Sequence, residues 1–318
     1  MARPLLLVGQ PLLAPLLPLL RADHDVIALW DAPSPERQHP DRLKDVDALV
    51  WAGEFPLGRD LMNAMPRLSL IACFTVGYDG VDLNYARQRG ISVAHAGNAN
   101  AQDVADHAIG LMLGHRRWIV EGDRQLRAGR WTIETKTRTR SMGGARLGIV
   151  GMGAIGIAVA ERAQAMKMAI RWWGPRPKPD LPWQRADDLT ALAQDSEILL
   201  IAARADESNR GMVDGRIIDA LGPDGLLVNV GRGQLVDEIA LIDALRTGRL
   251  GGAALDVFDP EPTDPQRWAD VPNAVLTPHT GGATQEAVGR MAQTLMANLA
   301  AHFAGAPLPS PVAEMAPL

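Results

Sequence analysis

The chain has almost no cysteine, no excess of basic residues and no long hydrophobic run. Its 318 residues include one cysteine, Cys73, which lies in an apolar run, so no disulfide can form within the chain and a reduced, cytoplasmic setting is expected. The apolar neighbours favour a buried strand cysteine over a catalytic thiol. The formal net charge of −5 offers no electrostatic footprint for nucleic acid or an anionic membrane. No apolar run approaches the ~20 residues that span a bilayer, so neither kind of partner is expected.

The alternation of short apolar runs with helical patterns predicts the fold class. At 318 residues the chain exceeds the usual single-core limit, which favours two domains. The apolar runs are continuous rather than alternating, as in parallel sheets buried on both faces. We therefore predict an α/β protein with two doubly wound, Rossmann-like parallel sheets. The candidate strands are Leu5–Val8, Val26–Leu29, Ala48–Trp51, Leu70–Thr75, Ile91–Ala94, Leu147–Val150, Ala169–Trp173, Ile198–Ala202, Leu226–Val230, Gly252–Leu255 and Ala274–Leu276.

A glycine-rich turn lies between one of these strands and a helix-forming stretch. Gly151 permits a tight turn, Gly153 lets the backbone approach a pyrophosphate, and Gly156 lets helix and strand pack closely. The first helical residues, Ala154 and Ile155, would then place the anion on the amide groups of the helix N-terminus. Glycines also serve ordinary turns, but the strand before and the helix after favour dinucleotide binding.

The domain boundaries follow from the helices that flank this region. A long helix is predicted from near Ala101 to about Arg117, and a helical segment at Gln285–Phe303 follows the last strand. That segment is expected to pack back on the first domain and make it discontinuous. We predict a substrate-binding domain at residues 1–98 plus 286–318 and a dinucleotide-binding domain at residues 99–285. The proline-rich stretch Ala306–Pro311 is predicted to be a tail outside the fold.

Three polar side chains follow later strands, and ligands in open α/β sheets bind at the carboxyl ends of strands. Arg232, between two glycines, can present paired donors to a carboxylate, although a surface arginine in a turn is the alternative. His279 suits proton donation near neutral pH, and a carboxylate such as Glu261 would orient it and favour its protonated form. Both lie next to prolines, which predicts stiff, extended loops. Taken singly, Glu261 could equally be a solvent-exposed acid in a loop. His279, taken singly, could equally be a structural histidine at the end of a strand with its hydrogen bonds made.

The ordered set of motifs resembles the D-isomer-specific 2-hydroxyacid dehydrogenase family over nearly the whole chain. The motifs are the glycine turn, Asn-x-x-Arg-Gly through Arg232, Asp-Val-Phe-x-x-Glu-Pro from Asp256, and Pro-His-x-Gly-Gly around His279. In the N-terminal half, Thr75–Asp82 is similar to the family's pattern, and Ala105–Leu113 looks like its long interdomain helix. The resemblance is strongest to glyoxylate/hydroxypyruvate reductases.

The resemblance implies a catalytic role for three residues. His279 would protonate the carbonyl oxygen as hydride arrives from the nicotinamide, and Glu261 would pair with His279. Arg232 would hold the substrate carboxylate and polarise the keto oxygen. The backbone amides of Val76 and Gly77 would complete the carboxylate site.

The resemblance also assigns positions to the cofactor site. Asp256 would bind the nicotinamide carboxamide, and Val104 and Val230 are further expected cofactor contacts. No metal ion is expected.

One departure from the family concerns the end of the second strand of the nucleotide fold. Most NAD-linked members carry an acid there that binds the ribose 2′-hydroxyl, but no acid occupies Gly174–Pro179. Arg176 and Lys178 stand there instead and would neutralise a 2′-phosphate, which predicts NADPH (NADP+) as the preferred cofactor, with NADH as the open alternative. Both side chains also fit solvated loop charges. Arg204, after the next strand, fits either an adenosine contact or a surface position.

These features predict an NADPH-dependent oxidoreductase that reduces a small 2-oxo acid, such as glyoxylate or hydroxypyruvate, to the D-2-hydroxy acid. The resemblance also implies a homodimer formed through the nucleotide domain, with Leu111–Trp131 as the candidate interface. The alternative is a dinucleotide-sensing binding protein, as in corepressors built on the same fold. The sequence shows no partner-binding extension or basic region, which argues against it.

Overall fold

The computed structural model describes residues 3–31, 40–134 and 138–315. The chain divides into two compact units, one made of Met1–Asn100 with Gln285–Leu318 and the other of Ala101–Thr284. The assignment of substrate binding to the first unit and of dinucleotide binding to the second stays a prediction.

The first unit is built on a parallel sheet of five strands in the order β2-β1-β3-β4-β5. The strands are β1 (Leu5–Val8), β2 (Asp25–Ala28), β3 (Ala48–Trp51), β4 (Leu70–Cys73) and β5 (Ser92–Ala94). The helices are α1 (Leu17–Asp23), α2 (Pro40–Leu43), α3 (Arg59–Asn63), α4 (Leu83–Gln88) and, from the end of the chain, α12 (Gln285–Phe303). The parallel pairing confirms the predicted doubly wound sheet.

Helix α12 brings the end of the chain back to this sheet. Met291, Leu295 and Leu299 recur every four residues, so they share one helix face and are buried. They join an apolar cluster that includes Leu6 of β1 and Leu70 of β4. The first Rossmann-like unit is therefore discontinuous, as the sequence predicted.

The proline-rich segment after α12 differs from the prediction. Pro311 forms an antiparallel bridge with Ala94, and the amide of Val312 donates to the carbonyl of Val93 at 2.9 Å. Val312 is completely buried. The expectation of a tail outside the fold was wrong, because the exposed edge of β5 offers backbone groups that this segment satisfies.

Cys73 lies at the end of β4 and is buried. Burial, together with the nearby charges of Asp79 and Glu54, raises the pKa of its thiol to about 12. The thiol therefore stays protonated near neutral pH and is a poor nucleophile, which agrees with a structural cysteine.

The second unit contains a parallel sheet of seven strands in the order β12-β11-β10-β9-β6-β7-β8. The strands are β6 (Arg146–Val150), β7 (Ala169–Trp173), β8 (Gln184–Arg185), β9 (Ile198–Ile201), β10 (Leu226–Asn229), β11 (Gly252–Leu255) and β12 (Ala274–Leu276). The helices are α5 (Ala101–Arg116), α6 (Ile119–Arg127), α7 (Ala154–Ala165), α8 (Leu189–Gln194), α9 (Gly215–Leu221), α10 (Glu238–Arg246) and α11 (Pro265–Trp268). Strand order reverses between β6 and β9, the place where open α/β sheets bind ligands.

Both faces of the second sheet are covered. In β9, Leu199 and Ile201 enter one apolar cluster while Ile198 and Leu200 enter the other, because successive side chains point to opposite faces. This burial explains the continuous apolar runs in the sequence. The eleven predicted strands are all present, and among the described residues only the two-residue edge strand β8, which lacks an apolar signal, was missed.

Membrane-spanning and metal-binding elements are absent from the described ranges. No helix there combines the length and the apolar character needed to cross a bilayer. Nor do three or more His, Cys, Asp or Glu side chains of these residues come together in a way that could hold a metal ion.

Candidate active site

His279 and Glu261 form a direct pair on two loops at the carboxyl edge of the second sheet. Nδ1 of His279 lies 2.6 Å from Oε2 of Glu261, and the two side chains are 31% and 35% exposed. Oε1 of Glu261 accepts the amide of Phe258 at 2.9 Å. Partial burial alone would raise the pKa of Glu261, but His279, the Phe258 amide and the charge of Arg232 lower it below its ordinary value. Glu261 is therefore a carboxylate that favours the imidazolium form of its partner.

The backbone of His279 is not extended. Its φ is +53°, in the left-handed region that costs a non-glycine residue about 1 kcal/mol. The amide of His279 donates to the carbonyls of Asp256 at 2.8 Å and Thr277 at 3.1 Å. The predicted extended loop was wrong here, because these two bonds fold the chain into a tight turn that directs the ring towards Glu261.

The carboxylate of Asp256 organises this turn. It accepts the hydroxyl of Thr277 at 2.6 Å and the amides of Thr280 at 2.9 Å and Gly281 at 2.8 Å. Burial on its own would raise the pKa of Asp256, but these bonds and His107 lower it, so the group is ionised. The side chain is 4% exposed. Its predicted contact with the nicotinamide stays a prediction.

His107 is a further member of this network, although nothing in the sequence predicted a role for it. It projects from α5, and its Nε2 lies 2.9 Å from Oγ1 of Thr277 and 3.2 Å from Oδ1 of Asp256. A Cβ on Gly281 would come within 3.2 Å of the His107 ring and 2.8 Å of Asp256 Oδ2, so glycine allows this close packing. A polar residue within the apolar helical run was the only sequence signal.

A second residue without a predicted role, Asn229, holds the loop that carries Arg232. Its buried amide donates to the carbonyl of Arg232 and accepts from the amide of Gly231, each at 3.0 Å. A Cβ on Gly233 would overlap the backbone of Phe258. The arginine loop and the loop that leads to Glu261 are therefore pressed together, which explains why the charge of Arg232 lowers the pKa of Glu261.

The glycine turn has the shape that a dinucleotide requires. Gly151 has φ +95°, and a Cβ there would lie 2.6 Å from Ala203 Cα, so only glycine fits. A Cβ on Gly156 would overlap the Gly151 carbonyl, which fixes the close approach of α7. At Gly153, by contrast, a Cβ would meet no atom of the described residues within 4 Å. No side chain of the described ranges caps α7 at Gly153, which leaves the first amides of the helix for a phosphate group.

The loop after β7 lies next to the glycine turn. Nζ of Lys178 donates to the carbonyl of Met152 at 2.7 Å, and Arg185 donates to the carbonyl of Gly174 at 2.7 Å. Arg176 is exposed, and among the described residues it has no hydrogen-bonding or ion-pairing partner. The two cations predicted to contact the cofactor therefore differ, since one binds the turn itself and the other extends into solvent.

The remaining predicted residues have varied environments. Val104 and Val230 are each 6% exposed and belong to one apolar cluster. Ala154 and Ile155 are half-buried in the first turn of α7. Two further predicted residues, Val76 and Gly77, are half-buried in the first unit, in the loop after β4, and the exposed Arg204 follows β9. Their roles stay predictions.

Comparison with known proteins confirms the family resemblance that the motifs indicate. The family described as "D-isomer specific 2-hydroxyacid dehydrogenase, NAD binding domain" matches residues 109–281, more than half of the chain. Glyoxylate/hydroxypyruvate reductase A of Arabidopsis thaliana is 38% identical over 91% of this chain and 92% of its own length. Hydroxyphenylpyruvate reductase of Plectranthus scutellarioides is 37% identical, with coverage of 96% and 99%.

A solved structure of similar fold is the NADPH-dependent glyoxylate/hydroxypyruvate reductase of Sinorhizobium meliloti in complex with NADP and malonate. It is 33% identical, has a TM-score of 0.91 and aligns over 99% of this chain and 98% of its own. The likeness extends over both compact units, so it confirms the predicted α/β class with two Rossmann-like sheets.

Proposed function

The chain belongs to the D-isomer specific 2-hydroxyacid dehydrogenases, and we propose that it reduces glyoxylate, hydroxypyruvate or a similar small 2-oxo acid with NADPH. Reduction of a 2-oxo acid is the activity of the family, and the preferred acid and cofactor are the proposed part. The observation that carries the proposal is the 2.6 Å contact of His279 with Glu261, beside the loop of Arg232. The reductases of A. thaliana and S. meliloti support the choice of substrate.

His279 acts in this proposal as the general acid. Its Nδ1 bonds to Glu261, so the proton that it transfers is carried by Nε2. Negative charge develops on the carbonyl oxygen during reduction, and an imidazolium neutralises it by giving up this proton. Glu261 keeps the ring oriented and protonated.

Arg232 binds the substrate in this proposal. A guanidinium can hold a carboxylate with two parallel hydrogen bonds, which fixes the orientation of the adjoining carbonyl group. Asn229 and the two glycines beside Arg232 fix the backbone from which the side chain extends. The amides of Val76 and Gly77 stay predicted contributors to carboxylate binding.

The glycine turn is the proposed holder of the cofactor. Gly151, Gly153 and Gly156 leave the space and the free helix amides that a pyrophosphate needs. A bound nicotinamide dinucleotide supplies the hydride. Val104, Val230 and Asp256 are proposed to complete this site.

The preference for NADPH rests on the loop after β7. Arg176 is exposed and Lys178 lies against the glycine turn, so two cations stand where an acid would repel a 2′-phosphate. The NADP complex of the S. meliloti relative supports the same choice.

A homodimer is the proposed assembly. Helix α6 has no buried residue, and Ile119 and Leu126 on it are 57% and 59% exposed. Trp131 and Ile133, which follow, are 64% and 83% exposed. Apolar groups of this size exposed together mark an interaction surface, and a second copy of the chain is the proposed partner. The cytoplasmic location stays a prediction.

Turnover tests the proposed function. Purified protein is expected to oxidise NADPH in the presence of glyoxylate or hydroxypyruvate, measured at 340 nm, and to yield the D-isomer of glycerate from hydroxypyruvate, measured by chiral chromatography. Failure of a panel of small and aromatic 2-oxo acids with both cofactors would contradict it. The alternative of a dinucleotide-sensing binding protein is not favoured, because the relatives found are reductases.

A further inference from the structure

Glu238 is a buried acid that the proposed chemistry does not use. It is the first residue of α10, and its side chain is 3% exposed. Its Oε1 accepts the amide of Asp259 at 2.8 Å, and its Oε2 lies 2.9 Å from Nη1 of Arg267. The acid thus bonds to the loop that carries Glu261, two residues before Glu261 itself.

The loop is held at Asp259 from several directions. Arg267, which pairs with Glu238, also donates to the carbonyl of Asp259 at 3.2 Å. Arg210 pairs with the Asp259 carboxylate at 2.7 Å. Backbone amide and carbonyl of one residue are therefore both bound, which leaves the loop little freedom to move.

Glu238 also connects this loop to the arginine loop. The chain runs from Arg232 through the short 3-10 turn Gly233–Leu235 into α10. Gly233 packs directly on the backbone of Phe258, and Glu238 binds the next residue, Asp259. The segment that begins with the proposed substrate-binding residue is thus joined at two points to the segment that ends at Glu261.

We propose that Glu238 is a positioning residue for the reaction, whose carboxylate oxygen fixes the Phe258–Glu261 loop so that Glu261 meets His279. The inference rests on the proposed function. Groups facing Glu238 are the cation Arg267 and the acids Asp259 and Glu261. Burial raises the pKa of Glu238, although the Asp259 amide and the charge of Arg267 act in the opposite direction.

The experiment compares Glu238→Ala with Glu238→Gln. The alanine variant loses the acceptor for the Asp259 amide, and kcat for hydroxypyruvate is expected to fall about 10- to 100-fold while KM for NADPH changes less than about twofold. The glutamine variant keeps an oxygen acceptor and is expected to restore kcat to within about threefold of wild type. NMR titration of the histidines needs no turnover. The titration midpoint of His279 is expected to differ from wild type in Glu238→Ala but not in Glu238→Gln.

Glu197→Ala is the matched control. Glu197 pairs with Arg116 at 2.9 Å and accepts the amide of Arg146 at 3.2 Å, so it makes the same two kinds of contact, at the start of β6 and β9. The Glu197→Ala substitution is expected to lower the unfolding temperature and to leave kcat unchanged. If Glu238→Ala does not fold, Arg267→Ala replaces it. This variant removes both the ion pair with Glu238 and the hydrogen bond to the Asp259 carbonyl, and it is expected to lower kcat and leave KM for NADPH unchanged.

The outcomes separate the two proposals. An inactive wild type would overturn the proposed function, while the His279 titration would still decide the role of Glu238. A folded Glu238→Ala with wild-type kcat and His279 titration overturns the positioning role. So does a glutamine variant as impaired as the alanine variant, or an equal loss in Glu197→Ala.

Discussion

Nζ of Lys178 lies 2.7 Å from the carbonyl oxygen of Met152, inside the glycine turn. Arg176, two residues earlier, is exposed and unpaired among the described residues. Lys178 therefore bonds to the turn that is proposed to hold the dinucleotide, and Arg176 is the residue proposed to contact the 2′-phosphate. The two side chains are expected to affect cofactor use in different ways.

Substitution of these two residues separates their roles. Arg176→Ala is expected to raise KM for NADPH about tenfold and leave KM for NADH unchanged, because only NADPH carries the 2′-phosphate. Lys178→Met is expected to weaken the binding of both NADPH and NADH, because the turn loses its hydrogen bond from Lys178. Steady-state kinetics with both cofactors is the measurement, and the exposed Arg216→Ala is the control. An equal effect of Arg176→Ala on both cofactors would contradict the assignment.

Substitution by alanine is expected to affect stability at one glycine of the turn and cofactor binding at another. Gly151→Ala is expected to lower the free energy of unfolding even without cofactor, because of its φ of +95° and the contact with Ala203. Gly153→Ala meets open space, so this free energy is expected to change by less than about 0.5 kcal/mol. Its new methyl group would occupy the phosphate position and weaken NADPH binding at least about tenfold. Denaturant unfolding and calorimetric titration measure the two effects, and unimpaired binding by Gly153→Ala would refute this phosphate site.

The His279–Glu261 pair is expected to set the pH dependence of reduction. His279→Ala is expected to lower kcat about 10²- to 10⁴-fold, because no group then protonates the carbonyl oxygen. The acid form is lost as pH rises, so reduction slows on the alkaline side. Glu261→Gln removes the charge that favours the imidazolium, and this alkaline limb is expected to move to lower pH. Profiles of kcat against pH measure both variants, and His302→Gln is the control. If the alkaline limb of the profile stays at the same pH in Glu261→Gln, the proposed effect of Glu261 on His279 is contradicted.

Glu197 is expected to contribute to stability in a pH-dependent way. The hydrogen bond from Arg116 is the main cause that lowers the pKa of Glu197 below its ordinary 4.5, against an opposing effect of burial. An acid with a lowered pKa stabilises the fold above its ordinary pKa, and this contribution is lost as pH falls through the folded-state value. Glu197→Gln should therefore flatten the loss of unfolding free energy below about pH 4.5. Denaturant unfolding at several pH values measures this, and an unchanged slope would rule it out.

The exposed apolar side chains of α6 predict the effect of charge on assembly. Leu126→Asp is expected to convert the proposed dimer into a monomer, because burying a carboxylate in an apolar interface is unfavourable. Light scattering after size-exclusion chromatography measures the mass. Ile239→Asp, at a residue 77% exposed on α10, is the control and should leave the mass unchanged. A wild-type monomer, or a dimeric Leu126→Asp, would count against this interface.

Much of the fold was predictable because it depends on local chemistry. Continuous apolar runs require strands buried on both faces, and the glycine turn requires residues without a side chain, so both leave a trace in the sequence. The proline-rich end of the chain was mispredicted, because the place of Pro311 beside β5 depends on an open sheet edge at Ala94, 217 residues earlier.

The sequence by itself determined the strands, the glycine turn and the residue types of the proposed chemistry, Arg232, Glu261 and His279. Only the tertiary structure decided that His279 turns through a left-handed backbone towards Glu261 and that Asp256, His107, Asn229 and Glu238 hold these loops. The physical reason is that such support consists of hydrogen bonds between residues far apart in the chain. Each supporting side chain, seen alone in the sequence, looks like an ordinary polar residue.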